Sequence, residues 1–293
     1  MTSLTYPSTT TSPNTASTPH KLQGELFPMT RTSAHDTAAA ISHLARELKA
    51  PRIDNVYSTI ANQARSQSWT FEEYLAAVLS VEATARAESG ASLRVKRAGF
   101  PAVKTIADFD FTAQPSIDRT EIARLETGAW VATAENVVLL GPPGTGKTHL
   151  ATALGITAAQ QGYRVLFDTA AGWINTLTEA HNTGKLETLL KRLNRYHLLI
   201  IDELGYIPVE ADAANLFFQL VSRRYEHGSI IVTSNLAFSQ WAQCFGDITV
   251  ATAMVDRIVH HAKIFQHRGV SHRIKGREIP IPTTPSPTPH QAQ

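Results

Sequence analysis

The sequence predicts an α/β protein, with a parallel β-sheet flanked by helices and preceded by a small all-helical domain. Apolar runs typical of buried strands occur at 136–140, 164–167, 196–201 and 229–233. Helical patterns separate them, at 149–160, 172–181 and 213–225. Strands that alternate with helices in this way indicate a parallel sheet covered on both faces.

The helical domain is predicted upstream of this sheet, over residues 34–92, because apolar residues recur at helical spacing from Thr37 to about Ala91. The run Thr70-Phe71-Glu72-Glu73 fits a capping box, which predicts a helix beginning at Phe71.

Composition sets the remaining boundaries. Residues 1–33 form a Ser/Thr/Pro-rich tail and residues 279–293 a Pro-rich tail, and both are predicted to be disordered. A basic linker is predicted over 93–112, followed by the sheet-containing domain over 113–278.

A phosphate-binding loop is the most specific motif in the chain. The pattern G-x-x-x-x-G-K-[ST] is matched between a predicted strand and a predicted helix. Backbone N–H groups of such a loop surround the phosphates of ATP, while the lysine neutralises them and the hydroxyl coordinates Mg²⁺. A Gly/Pro-rich turn could match by chance, but the flanking elements argue against it. The predicted ATP-binding residues are Gly141, Pro142, Pro143, Gly144, Thr145, Gly146, Lys147, Thr148 and His149.

Two carboxylates follow the apolar run 198–201. The carboxyl end of that strand would lie beside the phosphate-binding loop, so Asp202 is predicted to bind Mg²⁺ together with Thr148. Glu203 is predicted to orient and deprotonate the attacking water. Asn235 ends another apolar run, and it holds this water, senses the γ-phosphate or merely caps the next turn.

The composition favours a cytoplasmic protein. No apolar run reaches the roughly 18 residues that a membrane span needs, and no secretory signal is visible, so we expect no membrane partner. Cys244 is the single cysteine, which excludes an internal disulfide and favours a small core or surface residue over a nucleophile.

Positive charge is concentrated in two places, although the net charge is only +2. Residues 257–278 hold six Lys/Arg and one carboxylate, and a second cluster comprises Arg94, Lys96, Arg97 and Lys104. Either cluster could be an ordinary solvated surface or could contact DNA. The pair His260-His261 invites a metal-binding hypothesis, which we do not favour because adjacent residues do not share a helix face.

Beyond these motifs, the sequence resembles the IstB-like ATP-binding proteins, AAA+ helper ATPases of insertion-sequence transposition that are related to the helicase loader DnaC. The resemblance runs from about residue 38 to 276, and it rests on the segments 71–75, 104–111, 201–206, 218–226, 233–236, 245–247, 256–257 and 260–262.

The resemblance implies a homo-oligomer that binds duplex DNA, selects or remodels a target, and hands it to an integrase-fold transposase while hydrolysing ATP. It implies that Arg257 reaches the ATP of a neighbouring subunit as an arginine finger, whereas the residues alone indicate only a salt bridge. Arg273 is a weaker candidate for contacting the γ-phosphate within one subunit. Two alternatives stay open: a DnaC-type helicase loader, and a nucleotide-gated DNA-binding adaptor with negligible turnover.

Overall fold

The computed structural model describes residues 34–205 and 209–269. The chain divides into two compact units, the first ending at Glu82 and the second beginning at Ala83. Both predicted disordered tails, 1–33 and 279–293, lie outside the described residues.

The first unit is helical, as predicted. It contains α1 (Ala34–Glu47), α2 (Pro51–Gln67) and the beginning of α3 (Phe71–Arg97). The predicted capping box starts α3: the Glu73 N–H donates to Thr70 Oγ1 over 3.2 Å, and the Thr70 N–H donates to Glu73 Oε2 over 2.7 Å. Both exposed N–H groups are thereby satisfied where the helix begins.

The structure differs from the prediction of a basic linker over residues 93–112. Residues 93–97 still belong to α3, which ends just before Gly99, a residue with φ of +77°. Glycine adopts this left-handed backbone without strain, so it stops the helix. Beyond it, Ala98, Ile106 and Phe109 are buried in the core of the second unit. The segment is therefore an integral part of that unit, because its apolar side chains pack there.

The second unit contains a five-stranded sheet in which every pair of neighbouring strands is parallel. The strands are β1 (Asn136–Leu140), β2 (Val165–Thr169), β3 (Leu198–Leu204), β4 (Ser229–Ser234) and β5 (Ala262–Gln266). Their order across the sheet is β2-β3-β4-β1-β5. The sequence predicts the first four strands but not β5, whose five residues include the polar Lys263 and Gln266.

Eight further helices surround the described part of this sheet: α4 (Arg119–Glu126), α5 (Ala129–Ala132), α6 (Lys147–Gln160), α7 (Ala170–Asn182), α8 (Leu186–Leu193), α9 (Ala211–Arg224), α10 (Phe238–Phe245) and α11 (Ile248–Val259). Val137 and Leu139 of β1 share a core with α4, α5 and α6, while Val138 and Leu140 share one with α7 to α11. Alternate residues thus face opposite layers, and the predicted fold class is confirmed.

Cys244 is buried on α10, and burial raises the pKa of its thiol, which fits a core residue rather than a nucleophile. Within 34–205 and 209–269, every helix is too short or too polar to cross a membrane.

Candidate nucleotide-binding site

The phosphate-binding loop connects β1 to α6, and its shape requires glycine at two positions. Gly141 has φ of +142°, and a Cβ there would lie 2.3 Å from the carbonyl oxygen of His267. Gly146 has φ of +91° and caps α6, and a Cβ there would lie 2.7 Å from Phe109. The loop is therefore packed tightly from both sides, against the N-terminus of a helix where anions bind favourably.

Lys147 carries the positive charge of this loop. Its side chain is buried, and Nζ donates to the carbonyl oxygens of Gly141 over 2.7 Å and Pro142 over 2.8 Å. The ammonium is thus held against the loop backbone. Of the other loop residues, Pro142 and Pro143 are exposed, Gly144 is half-buried, and the Thr145 hydroxyl donates to the Pro142 carbonyl over 2.8 Å.

The side chain of His149 is engaged away from the loop. Its Nε2 lies 2.8 Å from the Thr105 carbonyl oxygen, and its ring packs edge-on against Phe109. A nucleotide-binding role for His149 stays a prediction.

Thr148 and Asp202 meet at the carboxyl edge of the sheet. The Thr148 hydroxyl lies 3.0 Å from both carboxylate oxygens of Asp202, which is buried at 4% exposure. The hydroxyl of Thr233, at the end of β4, donates to Asp202 Oδ1 over 2.5 Å. Because hydroxyl and carboxylate oxygens are ligands that Mg²⁺ prefers, this group has the chemistry of a magnesium site.

Glu203 follows Asp202 but has the opposite environment. The strand continues to Leu204, further than predicted, with an irregularity between Ile201 and Leu204 where Glu203 adopts φ of +62°. Its side chain is consequently exposed, while its N–H donates to Thr233 Oγ1 over 2.9 Å. This break in the strand separates the two carboxylates, one buried and one facing solvent.

Asn235 lies directly after β4, next to the start of the phosphate-binding loop. Ser234 pairs with Leu140, and the Gly141 N–H donates to the Ser234 carbonyl over 3.1 Å. Asn235 Oδ1 is buried and has no hydrogen-bond partner among the described residues. An unsatisfied acceptor at this position suits a residue that accepts a hydrogen bond from water.

Arg257 is not brought to the phosphate-binding loop of its own chain. Its Nη1 donates to the Ala253 carbonyl over 3.0 Å, and its guanidinium carbon lies 4.8 Å from the centroid of the Phe218 ring. The neighbouring Ile258 carbonyl accepts from Asn136 at the start of β1, whereas the loop follows the other end of that strand, about 13 Å away. Arg273 lies outside the described residues.

His267 is a loop contact that the sequence does not reveal. It is 2% exposed, and its Nδ1 lies 2.9 Å from the Thr145 carbonyl oxygen, which only an Nδ1–H can donate to. Its backbone N–H donates to the Leu140 carbonyl over 2.7 Å. Burial, together with the charge of Lys147, lowers the pKa of His267 to about 4, so the imidazole is neutral at pH 7.

Thr233 is the second contact that sequence reasoning misses. Both residues end or follow a strand, and that position beside the loop is the signal that could have found them.

The comparison with protein families agrees with this geometry. The sequence model of the IstB-like ATP binding protein family matches residues 43–279. The chain belongs to this family. The predicted resemblance is thereby confirmed.

Two curated relatives of this IstB-like chain come from bacterial insertion sequences. The ATP-binding protein of insertion sequence IS21 from Pseudomonas aeruginosa is 42% identical over 246 residues, covering 84% of this chain and 93% of the relative. That of IS5376 from Geobacillus stearothermophilus is 38% identical, covering 82% and 95%. A solved structure of the DnaC helicase loader matches 60% of this chain and 99% of its own, at 20% identity and a TM-score of 0.46.

Proposed function

We propose that this IstB-like chain binds ATP with Mg²⁺ and hydrolyses it to ADP and phosphate. The observation that carries the proposal is the contact between the Thr148 hydroxyl and the Asp202 carboxylate, beside the loop that holds Lys147. A loop alone could bind many anions. A hydroxyl and a buried carboxylate next to it supply the oxygen ligands that a nucleotide-bound Mg²⁺ needs.

The residues divide the work of hydrolysis between them. Loop N–H groups and Lys147 hold the phosphates, and Thr148 and Asp202 hold Mg²⁺, which when bound neutralises charge on the β- and γ-phosphates. Glu203, whose carboxylate is exposed, accepts the proton of the attacking water. Asn235, whose buried Oδ1 is otherwise unsatisfied, orients that water beside the γ-phosphate.

The binding half of this proposal is tested by nucleotide affinity with and without Mg²⁺. Lys147→Ala should abolish ATP binding, because it removes the cation of the loop. Asp202→Asn should lose the enhancement of affinity by Mg²⁺ while retaining metal-free binding. Asp212→Asn is the matched control, since it neutralises an exposed carboxylate on α9. Equal enhancement of ATP affinity by Mg²⁺ in the unmodified protein, Asp202→Asn and Asp212→Asn would overturn the assignment of Asp202.

DNA binding is the second part of the proposal, and its support is the surface charge. Lys96, Arg97, Lys104 and Arg268 are exposed in the second unit. Arg94, by contrast, is engaged: its Nε donates to the Ala159 carbonyl over 2.7 Å at the end of α6. The predicted cluster therefore offers three cations to a ligand rather than four.

Binding to duplex DNA should weaken steeply with added salt and depend little on sequence, because cations that contact phosphates release counterions. Neutralising Lys96, Arg97 and Lys104 together should reduce the slope of log affinity against log salt by about 2 to 3. An unchanged slope moves the contact to Arg268 and the residues that follow it. A flat salt response in the unmodified protein contradicts DNA binding.

We further propose that the chain assembles into a homo-oligomer in which Arg257 completes the ATP site of its neighbour. The support is its place at the end of α11, remote from the loop of its own subunit. Arg257→Ala and Glu203→Gln should each lack ATPase activity, but a mixture on DNA should regain part of it, because some interfaces then pair both intact residues. No recovery, with mixed assembly verified by crosslinking, would show that Arg257 acts within its own fold.

The partner that we propose is the integrase-fold transposase of the same element. The support is that the curated relatives are named for insertion sequences. Addition of this transposase to the DNA-bound protein should raise ATP turnover. Stimulation by a replicative helicase instead would favour a loader function.

A further inference from the structure

A cluster of metal-ligating side chains lies at the amino-terminal ends of the strands, opposite the end that carries the phosphate-binding loop. Glu226, in the turn between α9 and β4, approaches His260 and His261, at the junction between α11 and β5. One ligand atom of each lies within 4.8 Å of the other two, and all three side chains are exposed. None of these three residues is among those assigned to the ATP site.

The main chain holds the three residues in place. The His260 N–H donates to the Asp256 carbonyl over 3.0 Å, and the His261 carbonyl accepts from the Asn136 N–H over 2.7 Å. Glu226 adopts a left-handed backbone, with φ of +60°, in a turn of four residues. Two chain segments far apart in sequence are thereby fixed side by side.

His260 and His261 follow the end of α11 at Val259, so they do not lie on one helix. The rule that adjacent residues do not share a helix face therefore does not exclude a shared metal site. Freed from helical spacing, the two imidazole rings lie with their centroids 4.2 Å apart. Adjacent histidines can therefore contribute ligand atoms to one site.

Tyr225 orients one of these imidazoles. Its hydroxyl lies 2.6 Å from Nδ1 of His260, and the two rings are stacked. When Nδ1–H donates to that hydroxyl, Nε2 of the same ring carries the free lone pair. A ligating histidine is typically fixed in this way by a hydrogen bond from its other ring nitrogen.

We propose that Glu226, His260 and His261 bind a divalent transition-metal ion, with Zn²⁺ as the best match. Two imidazole nitrogens and one carboxylate suit Zn²⁺ and not Mg²⁺, which selects oxygen ligands. Tetrahedral bonds of about 2.0 to 2.2 Å require ligand atoms about 3.3 to 3.6 Å apart. His261 Nε2 already lies 3.7 Å from Glu226 Oε1, and rotation of the three exposed side chains supplies the remaining approach.

The bound ion would join the turn before β4 to the junction before β5. It would thus stabilise the amino-terminal edge of the sheet, and its fourth coordination position would be open to water or to another donor. Because the phosphate-binding loop follows the opposite end of β1, the ion lies away from the ATP site of its own chain.

The experiment is a Zn²⁺ titration of untagged, chelator-treated protein. Equilibrium dialysis measures the binding of Zn²⁺, and the thermal unfolding midpoint measures its effect on stability. The unmodified protein should bind one Zn²⁺ saturably, and its midpoint should rise by several degrees at 100 times the dissociation constant. Mg²⁺ should neither compete nor raise the midpoint.

Variants decide whether this ion occupies the proposed site. Glu226→Gln, His260→Ala and His261→Ala should each weaken Zn²⁺ binding at least tenfold, and Tyr225→Phe by about tenfold because it leaves the ligands intact but unoriented. His43→Ala is the matched control, since it removes an exposed imidazole paired with Glu47 on α1. Unchanged ATP affinity verifies folding in every variant. No saturable binding, or equal affinity in the ligand variants and the control, would overturn the proposal.

Discussion

The Thr233 hydroxyl donates to Asp202 Oδ1 over 2.5 Å, and so joins the end of β4 to the end of β3. The oxygen of the Thr233 hydroxyl also accepts the N–H of Glu203 over 2.9 Å. One buried hydroxyl therefore fixes the carboxylate proposed to hold Mg²⁺ and the backbone of the residue proposed to activate water. Thr233 is a positioning residue, because it acts through both neighbours.

Thr233→Val should lower the turnover number about 10- to 100-fold and change ATP affinity little, because the loop and Lys147 are untouched. Thr233→Ser keeps the hydroxyl and should restore most of the turnover. Steady-state kinetics with a parallel measurement of nucleotide affinity checks this. Undiminished turnover in Thr233→Val, which keeps the methyl group and lacks only the hydroxyl, would contradict this role.

His267 should make stability depend on pH. Its pKa is about 4 in the folded chain against an ordinary 6.5, so the unfolded chain binds more protons between these values. The free energy of unfolding should therefore rise from pH 4 to pH 6.5, and the contribution of His267 should level off above pH 6.5. Between pH 5 and pH 7 the contribution is about 2 kcal/mol. Denaturant unfolding of the unmodified protein and of His267→Asn at both pH values measures it, and an identical pH dependence in the two would refute it.

The same residue should influence ATP affinity through the shape of the loop. His267→Leu removes the donor to the Thr145 carbonyl and should weaken ATP binding about tenfold, the cost of one lost buried hydrogen bond. In His267→Asn the amide nitrogen replaces Nδ1, so affinity should stay close to that of the unmodified protein. Titration with a fluorescent ATP analogue compares them. Equal affinity in the leucine and asparagine variants would exclude the hydrogen bond as the cause.

The sequence predicts what depends on local pattern. The phosphate-binding loop, the strand before Asp202 and the capping box at Thr70 are each encoded within a few neighbouring residues. The role of His267 depends instead on β5 pairing with β1, which places residues 122 positions apart in contact. A local sequence pattern does not determine which distant strands pair, and β5 is not predicted because its alternation is weak.

The two adjacent arginines at the end of α9 have different roles that the sequence does not predict. Arg224 is buried, and its guanidinium donates to the carbonyl oxygens of Tyr196, His197 and Ser229. Burial lowers its pKa to about 10, so it remains charged at pH 7. Arg223 is half-buried and pairs with the exposed Glu187. The sequence alone does not distinguish the two.

Arg224→Met should therefore lower the free energy of unfolding by about 3 kcal/mol or more, because several buried carbonyl oxygens lose their donor. Arg223→Met removes only a solvent-screened ion pair and should change it little. Denaturant unfolding of both variants at pH 7 makes the comparison. Equal effects would contradict the structural role of Arg224.

We propose that ATP is hydrolysed in this site with Glu203 as the base, and the variant Glu203→Gln separates hydrolysis from binding. The amide keeps the shape of the side chain but cannot accept a proton from water. We predict ATP affinity within about twofold of the unmodified protein and phosphate release at least 100-fold slower. Phosphate release measured in a single turnover, with DNA present, separates these quantities. Undiminished release from a Glu203→Gln protein that binds ATP normally would contradict the account.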